Sequence, residues 1–245
     1  MVAPEGAEGL SLEAFDRRAL RYVEKQSRIA TSELVDNQAE QQRLEELLEA
    51  SKPAVPPKAQ GLDWLLRSAF RYPPLRYGSR FGSATERGIL YLSETRRALE
   101  AELAFYAFKF FEGMSEPPPR PLRRELTVIT LRVRSQTGFD LGRLEDPALR
   151  PLVDPESWQA SQRFGRSARE AGAAVIRYPS ARVAWPAARA NRNLAVLAPE
   201  AVAGNGHPRA SGSYVVLTDA EGVRLQGDLK PTRYVPAEQL RGGPF

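Results

Sequence analysis

The chain has 245 residues, 42% of them hydrophobic and 27% charged, with a formal net charge of +5 and a pI near 9.6. This length and composition support a packed core and exclude wholesale disorder, and no apolar run approaches the ~18 residues of a membrane span. The absence of cysteine excludes disulfides and thiolate metal sites and fits a reducing cytoplasm, while the scattered arginines suit nucleic acid, an anionic surface or a phosphorylated small molecule without selecting one.

The N-terminal stretch MVAPEGAEGLSLEAFD is acidic and has no hydrophobic block, so it does not read as a secretory signal. Residues 10–27 and 37–51 read as amphipathic helices. In the second, Asn37 and Glu40 have capping-box spacing, Leu44, Leu47 and Leu48 share a face, and Pro53 ends the run. KPAVPPKAQ, residues 52–60, is a stiff linker. Residues 1–60 are thus expected to be a helical extension that packs on the body or on a partner, and residues 61–245 to be the body.

In the body, GILYLS (88–93) has the length and composition of a short buried strand. The segment 94–113 is a strong helix, with Ser93 or Thr95 able to cap its start and Gly113 placed to end it. RELTVITLRV (124–133) alternates, which puts Thr127, Ile129, Leu131 and Val133 on one buried face. A helix over 155–172 follows, then strands in AAVIRYP and NLAVLAP and a hairpin made by SYVVLTD and GVRLQG. Strands and helices mix without regular βαβ alternation, so the expected class is α+β.

Three stretches carry candidate chemistry. RYPPLRYGSRFG (71–82) packs two prolines, two glycines and three arginines into one stiff turn, with Arg80 between Gly78 and Gly82, where a ligand can approach the backbone. Tyr91, on the strand that follows, shares a face with Ile89. On the helix over 94–113, Glu100 has Arg96 and Arg97 as ordinary surface partners. Glu102 instead has Ala98, Leu99, Phe105 and Tyr106 at helical spacing. A lone carboxylate on an apolar face costs several kcal/mol unless it is paired, hydrogen-bonded or protonated. It therefore calls for a partner such as an arginine, a path to solvent, or a functional role. In RYPSAR (177–182), Pro179 holds Tyr178 extended and Ser180 sits at a strand end.

Arginine suits phosphate, tyrosine offers a stacking face, and a carboxylate can stabilise a developing cation. Together Arg80, Tyr91 and Glu102 suit a nucleotide. Each also has a structural account, as a turn residue, a core residue and an ion pair. The single histidine, His207, lies in the loop-like GNGHPR, which argues against a serine-hydrolase triad and against zinc. P-loop and dinucleotide-fold glycine motifs are absent.

In order and spacing, YGSRFG, GILYLSE, the glutamate of ALEAELAFY and RYPSAR resemble the RES-domain family over roughly residues 60–200. The resemblance implies an α+β fold related to ADP-ribosyltransferases and an enzyme that consumes NAD as a substrate, with no cofactor or metal. It assigns the family's arginine, tyrosine, glutamate and serine to Arg80, Tyr91, Glu102 and Ser180. Arg80 would hold the phosphates, with Arg71 as a weaker second candidate, and Tyr91 would line the nicotinamide end. Glu102 would bind the ribose and stabilise the oxocarbenium-like state, and Ser180 would orient Glu102 or the nicotinamide amide. Two departures are the turn itself and Tyr106, which stands where many members carry histidine. The resemblance further implies a cytoplasmic toxin of a toxin–antitoxin pair, with a cognate antitoxin covering the NAD cleft. The alternatives are a protein ADP-ribosyltransferase and a non-enzymatic, basic nucleic-acid-binding module.

Overall fold

Glu13–Glu24, expected to be helical, is a strand (β1) that pairs antiparallel with a long later strand from Glu13↔Gly138 to Glu24↔Leu126. The buried residues Phe15 and Ala19 lie four apart, a spacing common to the strand period of 2 and the helix period of 3.6, so the apolar pattern does not separate the two. Pairing with the long strand decides it. Residues 13–24 are therefore part of the body's sheet, and the boundary expected at residue 60 does not divide the structure. The computed structural model describes residues 9–25, 35–72, 76–204, 206–228 and 231–245. The expected helix over 10–27 and the stiff turn over 71–82 each fall partly outside them.

The second expected helix forms as α1 (Gln38–Ser51). The Asn37 carboxamide oxygen accepts from the amides of Ala39 and Glu40. Its apolar stripe stays near the surface: Leu44 is half-buried, Leu47 and Leu48 are exposed, and no residue of α1 is fully buried. After the linker, α2 (Trp64–Arg71) inserts Leu66 and Phe70 into the core.

The functional half of the fold is β2 (Leu90–Ser93) followed by α3 (Arg96–Glu112). Thr95 caps α3 by accepting from the Ala98 amide, and Gly113 ends it as expected. Glu100 does not pair with Arg96 or Arg97. It accepts from the Tyr214 hydroxyl at 2.7 Å and from Arg233 at 3.3 Å, because the last strands pack beside α3. Leu99, Leu103 and Phe108 of α3 are buried in the core, each burial being worth about 1.5–3 kcal/mol.

β3 (Leu122–Asp140) runs further than expected and buries both faces. Ile129, Leu131 and Val133 enter one cluster with Leu90, Leu92 and Leu194, while Leu126 and Val128 sit under α3. A short helix α4 (Asp146–Leu149), α5 (Gln159–Glu170), β4 (Val175–Pro179) and β5 (Arg192–Val196) follow. The expected hairpin is β6 (Arg209–Asp219) with β7 (Gly222–Gly227), extended by β8 (Arg233–Pro236) and the closing helix α6 (Ala237–Arg241). The sheet order is β1-β2-β5-β4-β3-β6-β7-β8, and β1 also pairs with β3, so the first five of these strands close on one another. Among the described residues, β3 and β4 are the only strands that pair parallel, which fits the expected α+β class. Among the described residues, no helix is long and apolar enough to cross a membrane.

Candidate active site

β2 and β5 alternate about the sheet. Leu90, Leu92, Leu194 and Val196 enter the core, so Tyr91, Ser93 and Asn193 face the other way, toward α3. There a cavity of about 250 Å³ is lined by Arg21, Tyr22, Ser79, Arg80, Tyr91, Ser93, Glu102, Tyr106, Trp158, Tyr178 and Asn193. It is a little smaller than the ~300–1,000 Å³ of pockets that enclose whole drug-sized ligands.

The turn carrying Arg80 is built tightly. The Ser79 amide donates to Gly82 O at 2.7 Å and the Gly82 amide returns a bond to Ser79 O at 3.3 Å. Gly78 has a φ of +75°, and a Cβ there would lie 2.4 Å from Gly82 O. From α5, Gln162 donates to Tyr77 O and Ser79 O, both at 3.1 Å. Tyr91 closes the arrangement: its hydroxyl donates to Ser79 Oγ at 2.9 Å and accepts from the Phe81 amide at 3.0 Å. Burial is the main reason the Tyr91 phenol is pushed up to about 12. Arg80 is buried, 7% exposed, and donates to Asp154 O at 2.9 Å. It has no carboxylate partner among the described residues.

Glu102 has partners, and among the described residues none of them is an arginine. Its Oε1 accepts from Ser180 Oγ at 3.0 Å and from Asn193 Nδ2 at 2.8 Å. Ser180 Oγ accepts from the Arg182 amide at 3.2 Å, which directs its proton at Glu102. Ser93 donates to Asn193 Oδ1 at 2.8 Å, which directs the amide nitrogen the same way. Both donors are neutral, so the carboxylate is oriented without being neutralised. Its Oε2 has no protein partner among the described residues.

Arg80, Tyr91 and Glu102 thus line one cavity. One expectation needs correction. Arg71 does not reach this cavity. It donates to Pro53 O at 2.5 Å and to Glu49 at 2.7 Å, which tethers α1 to the end of α2 beside a separate cavity. Ser180 is 2% exposed and its hydroxyl donates to Glu102, which is the geometry needed for the first of its two expected roles, orienting the carboxylate.

Sequence reasoning passed over Ser93 except as a helix cap, and it missed Asn193, Arg21, Tyr22, Trp158 and Arg182. Ser93 and Asn193 are register partners, and the available signal was a polar residue at the edge of each of two short apolar runs. Arg182 is buried, stacks 3.5 Å from the Phe105 ring centroid, and donates to Pro155 O at 2.9 Å. The carbonyls of Asp154 and Pro155 therefore hold Arg80 and Arg182 side by side, and the same loop leads to Trp158 at the cavity.

A family model described as the RES domain matches residues 55–216. No curated protein matches the chain. Among solved structures, a chain of "Crystal structure of the M.tuberculosis MbcT-MbcA toxin-antitoxin complex" is similar at 15% identity and a TM-score of 0.45, covering 83% of this chain and 86% of that one.

Proposed function

The chain belongs to the RES-domain family, and on that premise we propose that it cleaves the nicotinamide–ribose bond of NAD. The observation that carries this reading is Glu102, a carboxylate held at one oxygen by Ser180 and Asn193 and left without a cation. When the glycosidic bond breaks, its electron pair leaves with the nicotinamide nitrogen and positive charge develops at the ribose C1. A carboxylate already paired with arginine would offer little to that charge; Glu102 is free to stabilise it. Arg80, buried and without a carboxylate, holds a phosphate of the substrate through charge-assisted hydrogen bonds. Tyr91 keeps the turn bearing Arg80 in place and lines the nicotinamide end, and Ser180 positions Glu102. An oxygen of water or inorganic phosphate then bonds to C1, and any proton it carries passes to solvent. The small cavity suits the nicotinamide–ribose end of the dinucleotide and an acceptor of that size.

The test is NAD consumption by the purified protein, with and without phosphate, beside Glu102→Gln. Glu102→Gln should lower turnover by roughly 10²–10³-fold, the cost of removing one preorganised electrostatic group. A phosphate requirement identifies phosphorolysis, and label transferred from NAD to protein identifies an ADP-ribosyltransferase. NAD loss unchanged by Glu102→Gln would overturn the assignment.

Family membership also supports a role as the cytoplasmic toxin of a toxin–antitoxin pair, restrained by an antitoxin protein that covers the cavity. Induced expression should then arrest growth in the wild type and not in Glu102→Gln.

A further inference from the structure

A second cavity lies at the other end of the β2–β5 pair. Ser93↔Asn193 is the register pair at one end of that ladder and Leu90↔Val196 the pair at the other. Beyond Leu90 and Val196 the chain encloses about 660 Å³, within the ~300–1,000 Å³ range of small-molecule pockets. Among the described residues, none lines both this cavity and the one holding Glu102.

Its wall has an apolar part and a charged part. Pro56 and Pro57 of the linker, Phe70 of α2, Leu197 and Pro199 make the apolar part. The linker is seated by Ala59, buried in the same cluster as Phe70, and its prolines restrict the backbone, so this surface is preformed.

The charged part carries more cations than it can match. Both of its described carboxylates are engaged. Glu86 accepts from the Ser83 amide at 2.7 Å and from Arg166 at 3.3 Å, and Glu200 pairs with Lys58 at 2.5 Å. Arg71 is matched by Glu49. Arg87 and Arg169 are left over. Arg169, half-buried in the last turn of α5, donates to Arg87 O at 3.0 Å and reaches Leu197 O only at 3.5 Å. Its Nε is buried with no hydrogen-bond partner, and it forms no ion pair among the described residues. Burial pushes this guanidinium below its ordinary pKa. Arg87 is exposed beside it, and its side chain has no partner among the described residues. Two unmatched guanidinium groups favour an anion with oxygens in one plane, phosphate or carboxylate. The apolar remainder of the wall favours an anion that also carries an apolar body.

We propose that this cavity is a second binding site, for a small organic anion whose phosphate or carboxylate is held by Arg87 and Arg169 and whose ring or short apolar chain lies against Phe70 and the prolines. The site is separate from NAD cleavage and holds or fails independently of it.

Calorimetric titration of phenyl phosphate, benzoate, inorganic phosphate and benzyl alcohol into the full-length wild type, Arg169→Gln, Arg87→Gln and Arg80→Gln tests the proposal. Of phenyl phosphate and benzoate, the tighter ligand identifies the head group. It should bind roughly 10–100-fold tighter than inorganic phosphate or benzyl alcohol, because burying the ring and pairing the charge both contribute. Arg169→Gln should weaken it about 10–100-fold, as loss of a charge-assisted hydrogen bond predicts. Arg87→Gln removes an exposed cation and should weaken it about 2–5-fold. That variant carries the test if Arg169→Gln fails to fold. Arg80→Gln, in the other cavity, should leave this binding in place. No binding of either organic anion by the wild type, affinity unchanged in the folded Arg87 and Arg169 variants, or binding abolished by Arg80→Gln would overturn the site.

Discussion

Asn193 donates its amide to Glu102 Oε1 at 2.8 Å, and its own carbonyl oxygen is held by Ser93 at 2.8 Å. β5 thereby reaches α3 through a side chain whose orientation β2 dictates. Three elements fix one carboxylate, and none of them supplies a cation. Such an arrangement keeps the negative charge available for a ligand.

Asn193→Ala removes one of the two donors to Oε1. Hydrogen bonds to charged groups are worth about 1.5–3 kcal/mol, so kcat should fall roughly 10–100-fold. Ser180→Ala should cost a similar amount and leave residual turnover, because Ser180 positions Glu102 and does not attack the substrate. Both side chains act on the same oxygen, so the double variant should lose less than the product of the single losses. Steady-state NAD consumption for the four proteins checks this, and full additivity would argue against a shared role.

Gly165→Ala tests the support of the Arg80 turn. A Cβ at this α5 position would lie 2.1 Å from Phe81 O, so α5 must move away from the turn. Overpacking of this kind costs about 1–3 kcal/mol, which for a chain of this size lowers Tm by about 2–12 °C. KM for NAD should rise as Gln162 loses its hold on Tyr77 and Ser79. Thermal unfolding and NAD kinetics on one preparation read both effects.

Tyr91 should leave a signature at alkaline pH. Its pKa is raised from 10.0 to about 12, so the folded state favours the neutral phenol. The stabilisation is fully present below the unfolded value near 10 and is lost as pH rises toward 12. Tyr22, also raised to about 12 by burial, behaves the same way. Burial also raises Tyr178, Tyr106 and Tyr214, so spectrophotometric phenolate titration should find five tyrosines ionising late, and Tyr91→Phe or Tyr22→Phe should each remove one. Early ionisation of all eight tyrosines would contradict the packing around the turn.

Arg71→Ala should leave KM for NAD unchanged, since Arg71 tethers α1 and does not line the cavity. Glu49 is exposed while the Arg71 side chain is mostly buried, and a pair open to solvent on one side contributes about 1 kcal/mol to stability. The expected change is faster limited proteolysis within α1 at near-constant Tm. A raised KM would return Arg71 to the substrate site.

Much of the candidate site was legible because its parts are local. A glycine-flanked arginine, a tyrosine on a short apolar strand and a carboxylate on an apolar helix face each stand out from their neighbours within a few residues. Arg80, Tyr91 and Glu102 were found that way and share one cavity. α1 and α3 carried their own caps at Asn37, Thr95 and Gly113, so their ends were readable too.

What the sequence determined by itself was therefore the set of elements whose signals are short-range, together with the α+β class and the family. Only the tertiary structure decided which residues meet across large separations. β1 became a strand because β3 offered it a ladder, and the spacing of Phe15 and Ala19 fits helix and strand alike. Arg71 turned to the linker and α1, while Arg21, far from any recognisable motif, reached the cavity. The partners of Glu102 lie 78 and 91 residues away along the chain. The sequence could show that a buried carboxylate needs hydrogen bonds, but which side chains provide them depends on strand register and packing, which no local pattern encodes.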